Sequence, residues 1–451
     1  MRIELTDNNI CLHSGRTYDR KDVSALFPIA GKTVAELCRE NRHLLVFPYD
    51  IESSDDRIGD SSVLAIDNTE DPDKVRVSTG NVLGFIGVGN LKLRIRSRFE
   101  ERNNDYFLHY MLQKVMSFNL FELNYDNDRE EAFNFLMYMF PYFLKSALRQ
   151  GIYGDYRQYG YNDSRVRGPI DVCRFIRRDI PFSGNVAYSA RELSYDNDMT
   201  QLVRHTIEYI SVWKYGQSIL NLDTETKENV RLIISSTPSY DRQERGRVIL
   251  KNLRLAAHPY FTEYKALQIL CVQILRSEEV KYGEGDEEIC GILFDGAWLW
   301  EEYLAALLKG LGFRHPKNRL GKGGIYLFED IDESGRRHRS GIRYPDFYKE
   351  GMVLDAKYKR LGDCGKVSKV GRDDLHQLVT YMHNLKSGNG GFVVPLENKQ
   401  VTIPFSRLKG SASGIYIFGI EVAKGCRSYD EFRRRMQENE RRMIEQIAER
   451  C

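Results

Sequence analysis

The sequence predicts a multi-domain protein: a β-rich N-terminal domain, a mainly helical middle region and a C-terminal α/β domain. At 451 residues the chain is too long for one ordinary core. Short alternating apolar runs fill the first part, apolar positions recur every three or four residues in the second, and helices lie between strands in the third. We therefore predict domains at 1–104, 105–288 and 289–451.

The N-terminal strands include "HLLVFPYDI" and "NLKLRIRSRF", separated by turn-forming stretches such as "DNTEDPDK" and "STGN". Gly31-Lys32-Thr33 ends like a phosphate-binding Walker A loop. That loop needs a glycine five residues before Gly31, and the residue there is Leu26. Without the glycine-rich loop no cradle of backbone N–H groups forms, so we predict the start of a helix instead.

Helical periodicity in the middle region is clearest in "DYFLHYMLQKVMSFNLF" and "MTQLVRHTIEYISVWKY". The apolar stretch 133–144 is too short to span a membrane, and we expect a buried helix that breaks at Pro141. A connector rich in Tyr and Arg, 151–179, suits either base stacking and phosphate binding or the filling of a domain seam, and we favour the seam. The acidic stretch 278–290, which contains glycines, is the best candidate for a linker between the middle region and the last region.

Composition indicates a soluble globular protein, with 42% hydrophobic and 29% charged residues. Eight cysteines without a CxxC pair argue against a zinc ribbon and against a disulfide framework. The N-terminal sequence lacks the pattern of a signal peptide. We therefore expect a cytoplasmic protein that does not associate with membranes.

Charge is distributed unevenly along the chain. Residues 291–451 contain 28 Lys and Arg against 21 Asp and Glu, a net charge of +7, and the rest of the chain is net −5. A basic C-terminal third suggests an anionic partner such as nucleic acid, and ordinary surface variation explains the excess equally well.

The most informative stretch is "RYPDFYKEGMVLDAKYKR", 343–360. Glu350-Gly351 fits the centre of a hairpin turn, because glycine supplies the positive φ that tight turns need. In that register Asp346 lies directly opposite Asp355, with Cβ atoms about 4.5–5.5 Å apart. Lys357 projects from the same face as Asp355.

Two carboxylates this close repel each other unless a cation lies between them. Mg²⁺ prefers such oxygen ligands and keeps positions open for water and a phosphate oxygen. Lys357 can hold or help deprotonate the attacking water and offset charge on the phosphate. The pattern predicts metal-dependent phosphodiester cleavage; the alternative is an exposed hairpin with an ordinary ion pair.

Pro345-Asp346 followed by Asp355-Ala356-Lys357 matches the short pattern of PD-(D/E)xK nucleases. A predicted helix over 373–386 places Gln377 and Tyr381 on one face, which resembles the QxxxY helix of RecB-type members. Upstream, Glu301 and Glu302 follow Trp300; adjacent residues cannot both point inward, and we choose Glu301 as a third metal ligand.

Basic residues surround the hairpin and form a predicted phosphate-binding rim, with a solvated charged face as the alternative. The rim consists of Arg336, Arg337, Arg339, Arg343, Lys359 and Arg360.

Over about residues 100–420 the sequence resembles the McrC subunit of McrBC-type restriction systems, which act on DNA carrying 5-methylcytosine. The resemblance rests on "FDGAWLWEEYL", "YPDF…LDAKYK" and "DLHQLVTYM", preceded by "GIYGDYRQY…RVRGPIDV" and "YDNDMTQLVRHTIEYI". It implies that Asp346, Asp355 and Lys357 form a nuclease centre with Mg²⁺ as cofactor, and that the substrate is double-stranded DNA.

The resemblance also implies a partner. In this family the AAA+ GTPase McrB forms a hexameric ring, and McrC binds it through its N-terminal part and stimulates GTP hydrolysis. The absence of a Walker A sequence at Gly31 agrees with a subunit whose motor is a separate protein.

Two other functions compete with the restriction nuclease. One is a stand-alone RecB- or Cas4-like nuclease; its iron–sulfur form needs four placed cysteines, and this region has only Cys364, Cys426 and Cys451. The other is a non-catalytic adaptor that stimulates an AAA+ ring and only binds DNA. A nuclease site that has lost its activity tends to lose its lysine or a carboxylate, whereas Asp346, Asp355 and Lys357 are all present here.

Overall fold

The computed structural model describes residues 2–9, 17–41, 44–48, 61–88, 91–100, 106–116, 128–213, 216–254, 258–281, 289–316, 323–331, 336–361, 366–400 and 402–451. The chain divides into two compact units. The first combines Met1–Phe121 with Gly285–Cys451, and the second is Glu122–Glu284. Of the predicted linker, 278–290, the first four residues end a helix and the last two begin a strand, whereas 282–288 lie outside the described residues, as does Cys364.

The N-terminal region is rich in strands, as predicted. Its elements are β1 (Arg2–Thr6), β2 (Thr17–Asp19), α1 (Val34–Glu40), β3 (Leu44–Phe47), β4 (Leu64–Asn68), β5 (Lys74–Thr79), β6 (Val82–Val88) and β7 (Leu91–Arg96). Thr33 caps α1 in a capping box with Glu36, which confirms that the Gly31-Lys32-Thr33 stretch begins a helix. Strands β2, β5 and β4 form a small antiparallel sheet.

The middle region is mainly helical, again as predicted. It contains α2 (Tyr106–Met116), α3 (Asp128–Leu148), β8 (Asp155–Asp163), α4 (Val172–Arg178), β9 (Val186–Ser194), α5 (Asp198–Ser211), α6 (Gly216–Leu220), α7 (Thr224–Ser236), α8 (Arg245–Lys251) and α9 (Tyr264–Lys281). Among these, α2 belongs to the first compact unit.

Two expectations for the middle region are wrong. Helix α3 continues through Pro141 without a break, because packing that buries Phe140 and Leu144 offsets the hydrogen bond a proline cannot donate. The connector, 151–179, contains β8 and α4, and β8 pairs antiparallel with β9, which follows the connector. Its Tyr156 is 59% exposed, so this side chain does not fill a domain seam.

The last third alternates strands and helices. Its elements are β10 (Ile289–Asp295), α10 (Gly296–Leu308), β11 (Ile325–Ile331), β12 (Arg337–Arg343), β13 (Phe347–Lys349), β14 (Met352–Ala356), α11 (Arg372–Asn384), β15 (Asn389–Leu396), β16 (Phe405–Arg407), β17 (Gly414–Glu421) and α12 (Tyr429–Ala448). No described helix is long and apolar enough to cross a membrane.

The first compact unit contains two five-stranded sheets. One has the order β1-β7-β6-β10-β3 and the other β13-β14-β15-β17-β16. Strand β10 pairs antiparallel with β6 and parallel with β3. The backbone hydrogen bonds of β10 therefore join the start of the predicted C-terminal domain, 289–451, to the N-terminal sheet, and both regions belong to one compact unit whose second segment begins at Gly285.

Candidate active site

The predicted hairpin is formed by β13 and β14 in the predicted register. Phe347 pairs with Leu354 and Lys349 pairs with Met352, and Gly351 adopts φ +83° in the turn. This register continues toward Asp346 and Asp355 at the open end. The hairpin turn was predictable because it depends on local residues alone.

Burial on β14 results from its place between two neighbouring strands. It pairs antiparallel with β13 and parallel with β15, and α11 packs on it. Asp355 is consequently only 1% exposed. The hairpin is therefore not the exposed one that the alternative interpretation required.

Asp355 forms an ion pair with Lys357, whose Nζ lies 2.8 Å from Asp355 Oδ2. The contact lacks the angles of a hydrogen bond, and Oδ1 has no hydrogen-bond donor within the described parts of the chain. Burial, and next the nearby charge of Asp346, raise the pKa of Asp355 to about 7, although Lys357 opposes this. A buried anionic oxygen without a donor is costly, and a cation would offset that cost.

Lys357 is itself largely buried, with a side chain 16% exposed. Burial lowers its pKa, but the charges of Asp355, Asp346 and Asp374 outweigh this effect and raise it overall. Asp374 Oδ1 lies 3.5 Å from Lys357 Nζ, and Asp374 Oδ2 lies 2.7 Å from Lys359 Nζ. The lysine therefore stands between two carboxylates and is positively charged at neutral pH.

Asp346 closes the other side of the site. Its Oδ2 accepts a hydrogen bond of 2.6 Å from the backbone N–H of Ala356, one residue after Asp355. Its backbone carbonyl lies 2.9 Å from His315 Nδ1, and His315 stacks on Phe347 with ring centroids 5.0 Å apart. These contacts hold the Asp346 backbone next to the end of β14.

Glu301 and Glu302 both approach His315. Glu301 Oε1 lies 3.8 Å from Nδ1 and Glu302 Oε1 lies 3.7 Å from Nε2. Burial lowers the pKa of His315, but the contacts with Glu302 and Asp346 raise it overall. Both glutamates thus lie near the same imidazole ring, one at each nitrogen, and the choice of Glu301 as the one that points into the metal site stays a prediction.

Two of the three predicted metal ligands are brought together. In the described part of the chain no group of three or more His, Cys, Asp or Glu side chains is placed to hold a metal ion, so Glu301 does not join Asp346 and Asp355 in such a group. The fit to a cation rests on Asp355 with its buried Oδ1 and on the neighbouring charge of Asp346. The metal role of Glu301 stays a prediction.

Gln377 and Tyr381 face the hairpin from α11. Gln377 Nε2 donates a hydrogen bond of 3.2 Å to the hydroxyl of Tyr381, which is 5% exposed. Burial raises the pKa of Tyr381, Gln377 opposes the rise, and the charges of Asp346 and Asp355 reinforce it. The charges of both carboxylates therefore act on the Tyr381 hydroxyl.

The predicted basic rim is only partly free for an anion. Arg336, Arg337, Arg339 and Arg343 lie on or next to the exposed ribbon β11–β12. In this ribbon Glu329 stands opposite Arg339 and 3.6 Å from Arg337. Arg360 contacts Glu397 at 2.6 Å and the backbone carbonyl of Arg98 at 3.0 Å, so it also holds the fold together.

The segment after Lys357 is anchored to the N-terminal sheet. Tyr358 shares a hydrogen bond of 2.7 Å with Ser97, and its carbonyl accepts one of 3.2 Å from Arg98. Arg98 in turn forms an ion pair of 3.0 Å with the buried Asp7. The residues that follow β7 therefore support the position of the segment that follows β14.

Sequence reasoning missed His315, Asp374 and the anchor at Tyr358. Asp374 lies three residues before Gln377, a helical spacing that offered a local signal. No spacing pattern pointed to His315 or to the Tyr358–Ser97 pair, because these contacts join distant parts of the chain.

Residues 77–395 match the family model "McrBC 5-methylcytosine restriction system component". Comparison with curated protein sequences gave no match.

Two solved structures are similar. One is a half-complex from a tetradecameric assembly of Thermococcus gammatolerans McrB AAA+ hexamers with bound McrC, at 17% identity, covering 97% of this chain and 100% of that one, with a TM-score of 0.46. The other is the Thermococcus gammatolerans McrBC complex, at 16% identity, covering 68% and 87%, with a TM-score of 0.30. Assignment rests on the family match, which spans well over half of the sequence: the chain belongs to the McrBC 5-methylcytosine restriction system component family.

Proposed function

We propose that this protein is the Mg²⁺-dependent endonuclease subunit of a restriction complex that cleaves double-stranded DNA carrying 5-methylcytosine. The observation that carries the proposal is the buried Asp355 between Asp346 and Lys357 at the open end of the hairpin, with an Oδ1 that accepts no hydrogen bond from the described residues. Membership of the McrBC component family supports the restriction context. We assign the last third of the chain to the PD-(D/E)xK fold.

Asp346 and Asp355 would hold Mg²⁺. When bound, the ion neutralises charge on the phosphate and makes water a better nucleophile. The hydrogen bond from Ala356 N–H to Asp346 Oδ2 restrains that carboxylate next to Asp355. In the part of the chain that the structure describes, no hydrogen-bond donor competes for Oδ1 of the buried Asp355.

Lys357 acts as a cation in this proposal. Its raised pKa keeps the ammonium charged at neutral pH, so it orients the attacking water and offsets the charge that develops on the phosphate. Gln377 and Tyr381, joined by a hydrogen bond on α11, would orient groups in the same site, and the charges of both carboxylates act on the Tyr381 hydroxyl. Glu301 would add a further carboxylate from α10.

Phosphates of the DNA backbone would contact the basic rim of Arg336, Arg337, Arg339, Arg343, Lys359 and Arg360. Lys359 is the rim residue nearest the centre that also stays accessible, with a side chain 55% exposed. Contacts of this kind fix the position of the duplex and carry no sequence information.

The partner we propose is an AAA+ GTPase of the McrB type. One of the solved structures similar to this chain has McrC bound to McrB AAA+ hexamers. The present chain lacks a Walker A sequence at Gly31, and the residues there lead into α1, which is capped by Thr33, so GTP would be bound and hydrolysed by the partner. The N-terminal part is the predicted contact with the ring.

The test is DNA cleavage by the full chain with Mg²⁺, with and without GTP and a McrB-type partner, on methylated and unmodified duplexes. Wild type is compared with Asp355→Ala and Lys357→Ala. We expect cleavage of methylated DNA only when partner, GTP and Mg²⁺ are all present, and loss of cleavage in both variants with complex formation unchanged.

Two results would redirect the proposal. Cleavage by the chain with Mg²⁺ alone would support a stand-alone nuclease. Cleavage that survives both substitutions, with GTP hydrolysis still stimulated, would support the adaptor function and move the nuclease to another protein.

A further inference from the structure

Asp374 contacts the lysine of the proposed centre from outside the nuclease pattern. It lies in the first turn of α11, and its side chain is 15% exposed. Its Oδ1 is 3.5 Å from Lys357 Nζ, and its Oδ2 is 2.7 Å from Lys359 Nζ. The carboxylate therefore bridges a buried lysine and an accessible one.

Lys357 has two competing partners. Asp355 Oδ2 is the closer, at 2.8 Å, and Asp374 Oδ1 is the farther. A cation held by Asp355 repels the ammonium of Lys357, because like charges repel strongly at short distance in a poorly solvated site. The ammonium then needs another anionic partner, since an unpaired buried charge is strongly unfavourable.

We propose that Asp374 is a positioning residue that takes over the Lys357 ammonium when a divalent cation binds Asp355. The inference rests on the proposed Mg²⁺ function of Asp346 and Asp355. Asp374 keeps the lysine beside the site while Asp355 is released from its ion pair. Lys359, at 2.7 Å from Oδ2, holds the Asp374 carboxylate in the orientation that presents Oδ1 to Lys357.

A simpler role for Asp374 is to stabilise the N-terminus of α11, where acidic residues interact favourably with the helix dipole. Asp373 provides the matched control. It lies in the same first turn, carries the same charge, and its side chain is 94% exposed with its ion-pair contact at Arg372, 3.7 Å away. Both residues can interact with the helix dipole, but in this comparison Asp374 is the one that contacts Lys357. An effect seen with Asp374 and not with Asp373 therefore reports the contact with the lysine.

The experiment measures Mg²⁺ binding to the DNA-free full-length chain by calorimetry. We expect Asp374→Asn to weaken binding about 3- to 10-fold, the size of a coupling between neighbouring charged groups, and Asp373→Asn to change it less than about 1.5-fold. Circular dichroism shows whether each variant folds. If Asp374→Asn does not fold, Asp374→Ser, which keeps a side chain suited to helix N-termini, takes its place.

A double-mutant cycle with Lys357→Met separates positioning from the simple loss of a negative charge. If Asp374 acts through the lysine, Asp374→Asn changes Mg²⁺ binding less than about 1.5-fold in the Lys357→Met background. Equal weakening in both backgrounds, or equal effects of Asp373→Asn and Asp374→Asn, would overturn the positioning role and leave the proposed function intact. Wild-type protein that binds no Mg²⁺ would overturn both.

Discussion

Two antiparallel pairs that follow each other in the chain, the β11–β12 ribbon and the β13–β14 hairpin, use charge in opposite ways. The ribbon exposes its charges: the side chain of Arg337 is 70% exposed and that of its partner Glu329 is 56% exposed. The hairpin instead buries a charged residue, Asp355, which is only 1% exposed. The difference arises because β14 is covered by β13, β15 and α11, whereas the ribbon forms a separate two-stranded sheet.

The effect of a charged pair on stability and on pKa therefore depends on whether the pair is buried or exposed. An exposed pair gains little, because water screens it and the long side chains lose entropy. A buried pair perturbs the pKa of its members and is destabilising if it loses a partner. Function should therefore concentrate in the hairpin, and the ribbon should contribute mainly to attraction and orientation of DNA.

The largest expected effect is on cleavage. Asp355→Asn should lower the cleavage rate by at least about 100-fold, because it removes charge that acts in the transition state. Arg339→Gln in the ribbon should lower it less than about tenfold, since its guanidinium serves binding to phosphates. Single-turnover cleavage with saturating partner and GTP measures both. Equal losses in the two variants would contradict the division between hairpin and ribbon.

A matched pair of aromatic residues tests the same contrast through stability. Phe347 in the hairpin is fully buried and stacks on His315, whereas Phe328 in the ribbon is 60% exposed. Phe347→Ala should reduce the free energy of unfolding by about 3–5 kcal/mol, the usual cost of an emptied aromatic site. Phe328→Ala should change it by less than about 1 kcal/mol. Chemical denaturation gives both values. Similar losses would show that Phe328 is buried in solution and would contradict the contrast between hairpin and ribbon.

The third prediction concerns pH in the absence of metal. The pKa of Asp355 is raised to about 7 in the folded protein, so between about pH 4 and 7 the folded state keeps a proton that the unfolded state has lost. This carboxyl therefore stabilises the fold at low pH, and its contribution falls as pH rises through that window. Asp355→Asn should remove the fall, so that the stability of the variant relative to wild type increases by up to about 1.4 kcal/mol per pH unit.

Chemical denaturation in EDTA at several pH values measures this difference. Glu329→Gln in the ribbon is the control, because it removes a carboxylate whose side chain is 56% exposed. A difference that stays constant from pH 4 to 7 for Asp355→Asn would contradict the perturbed pKa.

The smallest effect is expected from charge removal in the ribbon. Replacing Arg337, Arg339 and Arg343 by Gln should weaken DNA binding and reduce the slope of log K against log salt by up to about 3. Stability should change by less than about 0.5 kcal/mol per substitution, as at most surface positions. The control is Arg149→Gln, which removes another exposed charge, 70% accessible and paired with Glu225. An unchanged salt slope would exclude the ribbon from the DNA contact.

Local sequence signals predicted the parts of the site that depend on neighbouring residues. The turn at Glu350-Gly351 set the register of the hairpin, and the spacing of Gln377 and Tyr381 placed both on one face of α11. The start of α1 after Thr33 was predictable for the same reason. Turn and helix preferences act over a few residues, so one sequence suffices to find them.

Contacts between distant residues were decided by the tertiary structure alone. Strand β10 completes the N-terminal sheet, Asp374 reaches Lys357 from another element, and His315 joins two glutamates to the backbone of Asp346. Burial of Asp355, which raises the pKa of its carboxyl group, also depends on strands and a helix far along the chain. The sequence by itself determined which groups are present and their local spacing; packing decided which of them lose contact with water, because burial is a property of the whole fold.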